Sequence, residues 1–145
     1  MITRKFAFVV LALLLPLAGT PTSAQPAPDI TTLAVAPGAG GANVSRQVEL
    51  GGRDLFYVSG QALQAMTVTV ASANNTASFE VYAPGTLIYR GYTGAYTFTG
   101  NTLPNAGPNS HAALWEGVLP MNGLYLIVVG ATVDNASYQM TVTLQ

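Results

Sequence analysis

The chain has no cysteine, and no lysine after Lys5. The first absence excludes disulfides, thiolate zinc sites and thiol nucleophiles. Histidine is reduced to His111, so a multi-histidine metal centre is excluded, and any Ser-His-Asp triad would have to use that residue. Charge of either sign is scarce, at 8% of 145 residues. Beyond residue 24 the cations are Arg46, Arg53 and Arg90, against Asp29, Glu49, Asp54, Glu80, Glu116 and Asp134. Phosphate binding needs clustered Lys and Arg, so nucleic acid is not an expected partner. So few charges imply a surface of Thr, Ser, Asn and Gln.

The same scarcity argues against chemistry. A glycosidase holds two carboxylates about 5–9 Å apart, and no two of the six acids form a suggestive pair. Calcium takes about six to eight oxygen ligands, usually with several carboxylates. Asp54 is isolated, and Asp134-Asn135 reads as a turn with Asx chemistry. The expectation is a non-enzyme with no catalytic residues, no cofactor and no metal site.

One long hydrophobic run is present, and it stands at the N-terminus. Arg4 and Lys5 precede an apolar stretch from Phe6 to Leu15, Pro16 and Gly19 break it, and Thr22-Ser23-Ala24 ends in small residues. This is the pattern of a bacterial Sec-type signal peptide, residues 1–24, cleaved after Ala24. The run is shorter than the roughly 20 residues a membrane span needs. Without cysteine at the cleavage site, a lipid anchor is excluded. A periplasmic or secreted product with no membrane span is expected.

Residues 25–43 are rich in Pro, Ala, Gly and Thr and read as a flexible lead-in, with one short edge strand at Ile30 to Val35. The folded domain is expected over 44–145, where the hydrophobic period is two. Met66 to Val70 alternates strictly, Phe79-Glu80-Val81 follows the same logic, and Tyr138 to Leu144 alternates over its whole length. Such segments are strands with one buried and one wet face. Leu55 to Val58 and Leu124 to Val129 are apolar on both faces, which calls for cover on both sides, best supplied by the chain's own loops. Gly51-Gly52, Asn74-Asn75, Pro84-Gly85, Asn122-Gly123 and Asp134-Asn135 punctuate the runs as turns. The pattern predicts an all-β fold, a single antiparallel β-sandwich. Gly100 to Ser110 reads as a long polar loop, of the kind that often carries function.

Two stretches carry a resemblance. One is Arg53-Asp54-Leu55-Phe56-Tyr57-Val58-Ser59-Gly60-Gln61, continuing through Met66-Thr67-Val68 to Phe79-Glu80-Val81-Tyr82-Ala83-Pro84-Gly85. The other is Trp115-Glu116-Gly117-Val118-Leu119-Pro120-Met121-Asn122-Gly123-Leu124-Tyr125-Leu126-Ile127, ending in Ala136-Ser137-Tyr138. Their order resembles the bacterial pre-peptidase C-terminal domain, a β-sandwich of jelly-roll type on secreted proteins, associated with calcium or carbohydrate. Among exported stand-alone members the chain looks most like the periplasmic inhibitors of g-type lysozyme. The resemblance implies a loop written Ser-Gly-x-Tyr or Ser-Gly-x-x-Tyr whose hydroxyls enter the enzyme's cleft. Asn122-Gly123-Leu124-Tyr125 occupies that place, with Asn where the family has Ser. Whether Tyr125 points into the core or toward a partner stays open at this point.

Tyr82, Tyr89, Tyr92 and Tyr96 fall close together with Arg90 among them, and Tyr and Arg are favoured interface anchors. Two roles follow. In the first, a non-catalytic module inhibits a lysozyme-type glycosidase. It offers Asn122, Gly123 and Tyr125 together with Arg90, Tyr92 and His111, the cations pairing with carboxylates of the cleft. In the second, the chain is a carbohydrate-binding or cell-envelope accessory domain that recognises a cell-wall glycan. Oligomeric state is not readable from these residues.

Overall fold

A computed structural model describes Gly19 and residues 27–145. The signal-peptide expectation therefore lies outside the described residues, Gly19 apart. In the rest, alternation of apolar and polar side chains produces strands, because successive residues of an extended chain point to opposite faces. In order they are β1 (Ile30–Leu33), β2 (Ala42–Val48), β3 (Arg53–Gly60), β4 (Ala65–Ser72), β5 (Ala77–Tyr82), β6 (Leu87–Arg90), β7 (Tyr96–Thr99), β8 (Leu114–Val118), β9 (Gly123–Ala131) and β10 (Ala136–Leu144). A three-residue 3-10 turn at Ala73–Asn75 is the sole helical element among the described residues. No described helix is long and apolar enough to cross a membrane.

The strands form two four-stranded sheets, in the orders β1-β3-β9-β5 and β2-β10-β4-β8, and a separate β6-β7 hairpin. The all-β sandwich expected from the sequence is the fold. One pairing departs from the antiparallel rule: β1 runs parallel to β3, with Ile30 opposite Leu55 and Leu33 opposite Val58. Ordered structure thus begins ahead of Val44. Gly41 also lies tight against the Val142 carbonyl, leaving no room for a Cβ.

The core fills the space between the sheets. Phe56, Val58, Phe79, Val81, Ile127 and Val129 from the first sheet meet Met66, Val68, Val70, Met140 and Val142 from the second. Each such side chain contributes about 1.5–3 kcal/mol when fully buried, and with no disulfide this burial is the main source of stability. Two polar contacts tie the sheets together. The Tyr138 hydroxyl on β10 donates to Asp54 Oδ2 on β3 at 2.6 Å. Arg46, inward on edge strand β2, holds its guanidinium 5.0 Å from the centre of the Phe56 ring and donates to Thr31 Oγ1 at 2.8 Å. That pair closes the side of the sandwich where edge strands β1 and β2 meet.

The opposite side is closed by the stretch expected as a free polar loop. The N–H groups of Phe79, Val81 and Ala83 on or just after β5 donate to the carbonyls of Ala112, Ala106 and Asn101, and Leu103 N–H donates back to Val81. Leu103, Ala106 and Ala112 are buried, and Trp115 Nε1 donates to Pro104 O at 2.8 Å. Residues 101–113 therefore seal an exposed sheet edge. Their Asn, Pro and Gly content hides the few small apolar residues that do the sealing.

The strands that are apolar on both faces are covered as expected. Leu55, Tyr82, Leu126 and Val128 on the outer face of the first sheet lie under the β6-β7 hairpin, which contributes Ile88, Tyr96 and Phe98. The Phe98 ring sits 5.4 Å from Tyr82 and 6.3 Å from Tyr96, centre to centre.

Burial, then the hydrogen bond to Asp54, pushes the Tyr138 hydroxyl well above the ordinary tyrosine pKa of 10. The unfolded chain releases this proton near its ordinary value while the folded chain keeps it. Stability is therefore fully present below about pH 10 and falls as pH rises past it. Tyr138→Phe leaves Asp54 Oδ2 without its donor and is expected to cost about 1–3 kcal/mol near neutral pH. It should also flatten the alkaline decline, as read by thermal unfolding in a pH series.

Candidate functional site

At one end of the sandwich the β3-β4 turn and the β8-β9 connection are joined into one unit. Gly60 ends β3 under Leu119 and the Tyr125 ring: a Cβ there would overlap Leu119 Cδ1 and stand 3.1 Å from Tyr125 Cε2, so a larger residue would force Leu119 to shift. Within the turn, Gln61 N–H donates to Gln64 Oε1 at 2.8 Å and Gln64 N–H donates to the Gln61 carbonyl at 3.2 Å. Across to the next connection, Leu63 N–H donates to the Leu119 carbonyl and Leu119 N–H to the Gln64 carbonyl, at 2.9 and 2.8 Å. Asn122 completes the link, its Oδ1 accepting the Ala62 N–H at 2.8 Å.

Tyr125 anchors this unit from below. Its side chain is fully buried, and its hydroxyl donates to the Met121 carbonyl at 2.7 Å while accepting the Met121 N–H at 3.2 Å. The question left by the sequence is answered: Tyr125 faces the core. Gly123, at φ +146°, has Pro84 against it, where a Cβ would lie 2.6 Å from the proline Cβ. Asn122, Gly123 and Tyr125 thus come together as builders of the turn. Leu63, Val118, Met121 and Leu124 are large apolar side chains exposed on these segments. A shallow depression of about 290 Å³, lined by Tyr57, Gly85, Thr86, Leu124 and Leu126, opens next to Leu124.

The other residues singled out in the sequence lie elsewhere. Arg90 and Tyr92 belong to the β6-β7 hairpin. The Arg90 guanidinium stands 5.6 Å from the Tyr96 ring centre, and Tyr92 is fully exposed at the tip. His111 lies in the edge seal, with φ +47°, and faces a depression of about 210 Å³ together with Arg53, Ser78, Glu80 and Pro108. Gly130 and Val128 form part of its lining. Because residue 130 has no side chain, the Arg53 guanidinium lies across it, Nη1 only 2.8 Å from where a Cβ would be. Glu80 accepts the Tyr82 hydroxyl at 2.6 Å. Burial first, then Glu80, raises the Tyr82 pKa above its ordinary value.

Arg53 and Glu80 escaped the sequence reading. Their signal is a polar residue on each of two strands whose outward neighbours, Leu55 and Tyr82, are buried, with β9 between them: Arg53 stands opposite Gly130, and Glu80 opposite Val128. The depression reaches Ala131 at the end of β9, whereas Gly123 starts that strand. At about 3.3 Å per residue, the two places are roughly 25 Å apart. The six residues singled out in the sequence therefore fall at three places, of which the hairpin and the hollow are linked through Tyr82, whose ring meets Phe98 and whose hydroxyl meets Glu80.

Asp54 and Glu80 sit on opposite faces of the first sheet, so they make no carboxylate pair. No group of three metal-ligating side chains occurs among the described residues.

No protein-family model matches the chain, and no curated protein matches its sequence. The resemblance to the pre-peptidase C-terminal domain accordingly has no family match behind it. Solved structures do match in three dimensions, and they define the class of fold. The chain is similar to Aeromonas hydrophila PliG, a periplasmic lysozyme inhibitor of g-type lysozyme, with a TM-score of 0.55 and 24% identity over 80% of this chain and 97% of that one. It is similar to Salmonella Typhimurium PliG at 0.54 and 14%, covering 82% and 100% of the two chains. A mutant of Escherichia coli PliG gives 0.55 and 14%, covering 80% and 97%. At such identities the likeness establishes a shared β-sandwich.

If Tyr125 holds the turn from inside, Tyr125→Phe removes only the two hydrogen bonds to Met121 and should lower stability by about 1 kcal/mol. Tyr125→Ala empties a core position and should cost about 3–5 kcal/mol. Chemical denaturation of the two variants beside the parent chain measures both.

Proposed function

We propose that the exported chain is a non-catalytic inhibitor of a g-type lysozyme, acting from the bacterial periplasm and presenting the β3-β4 and β8-β9 turns to the enzyme's cleft. The observation that carries this reading is the fold shared with three g-type lysozyme inhibitors over nearly their whole lengths. The geometry of the turn end supports it. A binding surface whose backbone is already fixed loses little conformational freedom on association, and Gln61–Gln64 and Leu119–Asn122 are fixed by reciprocal hydrogen bonds. Asn122 offers its side-chain amide donors beyond the bond to Ala62, where the family loop has a serine. Tyr125 acts by holding the loop, not by touching the enzyme.

A second reading has its own observation. The depression between Arg53, Glu80 and His111 concentrates three of the chain's few charged or titratable groups on a polar hollow. A cell-wall glycan bound there would make the chain an envelope accessory domain.

Purified residues 25–145 tested in a cell-wall lysis assay separate the two. Near-stoichiometric inhibition of g-type lysozyme is expected, with c-type and i-type enzymes as comparators. Undiminished lysis together with retention on peptidoglycan would favour the second reading. Arg90→Ala and Tyr92→Ala are expected to leave inhibition and melting unchanged, because the hairpin stands apart from the turns; loss of inhibition in either would move the contact surface there.

A further inference from the structure

Leu63 is the residue that the fold itself least explains. Gln61 to Gln64 closes with a hydrogen bond from Gln64 N–H to the Gln61 carbonyl, and Leu63, third in the turn, has φ +70°. A turn of this kind wants Gly or Asn there, because a Cβ crowds the carbonyl in the left-handed region. Leucine bears that steric cost and recovers nothing by burial, since its side chain is 86% exposed. The hydrogen bonds that fix the turn come from backbone groups and from Gln64 and Asn122, none from the leucine side chain. Strain of this sort collects at functional positions.

The surroundings say what kind of partner fits. Met121, 46% exposed, stands on the connection bonded to the turn, and Leu124, 48% exposed, at the start of β9 that follows it. No charged residue occurs in 61–64 or 117–126. The end of the sandwich is thus an uncharged surface with an aliphatic knob held on a rigid turn. Such a knob suits an apolar hollow, and a pre-organised anchor entering a pocket is the typical source of affinity at an interface.

We infer that Leu63 is an apolar anchor of the inhibitor, received by a hydrophobic hollow in the cleft of the g-type lysozyme. This rests on the proposed function and adds to it the contact that the Asn122 loop alone does not supply. Its signature is opposite effects on stability and on binding. Leu63→Asn relieves the turn and should raise the melting temperature by a few degrees. The same change should weaken inhibition by about tenfold or more, the loss expected of an anchor worth at least 1.4 kcal/mol. Leu63→Gly should weaken inhibition to a similar extent, and Leu63→Met should retain most of it.

The experiment measures inhibition constants against g-type lysozyme and melting temperatures for the parent and the three variants. Higher melting with lost inhibition in Leu63→Asn establishes the anchor. Inhibition by Leu63→Asn equal to that of the parent overturns the inference and leaves the proposed function standing. Lower melting in both Leu63→Asn and Leu63→Gly would show that leucine serves the fold, and would overturn it too. A parent chain that inhibits nothing removes the proposed function, and this inference with it.

Discussion

From Tyr125 to Val129 strand β9 has no wet face, and the architecture follows from covering it. Tyr125, Ile127 and Val129 point between the sheets, while Leu126 and Val128 point outward and are equally buried. In a chain without disulfides, removing these surfaces from water is the main stabilising term. Inward cover comes from the second sheet. Outward cover requires an additional layer, and Ile88, Tyr96 and Phe98 of the β6-β7 hairpin provide it. The flanking strands β3 and β5 share the problem, with Leu55 and Tyr82 buried on the same outer face. With charge so scarce, the polar contacts that remain are used at junctions. Tyr138 and Asp54 join the sheets, Arg46 spans two edges, and Trp115 pins the edge seal.

The same strand sets the turn end that we propose as the recognition surface. Where β9 begins, the Tyr125 ring is sunk in the core and its hydroxyl grips both polar groups of Met121. Asn122 then reaches the neighbouring turn at Ala62. Order passes from a fully buried ring to an exposed turn through a handful of hydrogen bonds. A surface built this way loses little conformational freedom on association, as the proposed inhibitory role requires. At the far end of β9 the Arg53-Glu80-His111 hollow is built on the same principle with different groups, a bare glycine giving an arginine room to lie flat.

The alternation of Tyr138 to Leu144 identified a strand with one buried face, and the two-sided apolar runs at 55–58 and 124–129 identified strands needing two covers; both signals are local. The rest depended on distance in space. Residues 101–113 look like a loop because Leu103 and Ala106 are separated by Pro104 and Asn105, and their partners on β5 lie some twenty residues earlier. Tyr125 is ambiguous in the sequence because a tyrosine at a strand start suits either face; in the fold its ring reaches past its partner Val58 to lie against the bare backbone of Gly60. Asn122 looked like a free contact because its partner, Ala62, lies 60 residues away. Arg53 and Glu80 come together only through β9 between them. Leu63 carries no sequence signal of strain at all, since leucine is unremarkable until its backbone angle is known.

Backbone amide hydrogen exchange on the free protein tests most directly whether the turn end is rigid before any partner arrives. The account predicts that the amides of Ala62, Leu63 and Met121 exchange slowly, near the rate of the β9 core, because each donates to a fixed acceptor. Exchange at the rate of an open loop, while β9 stays protected, would contradict it.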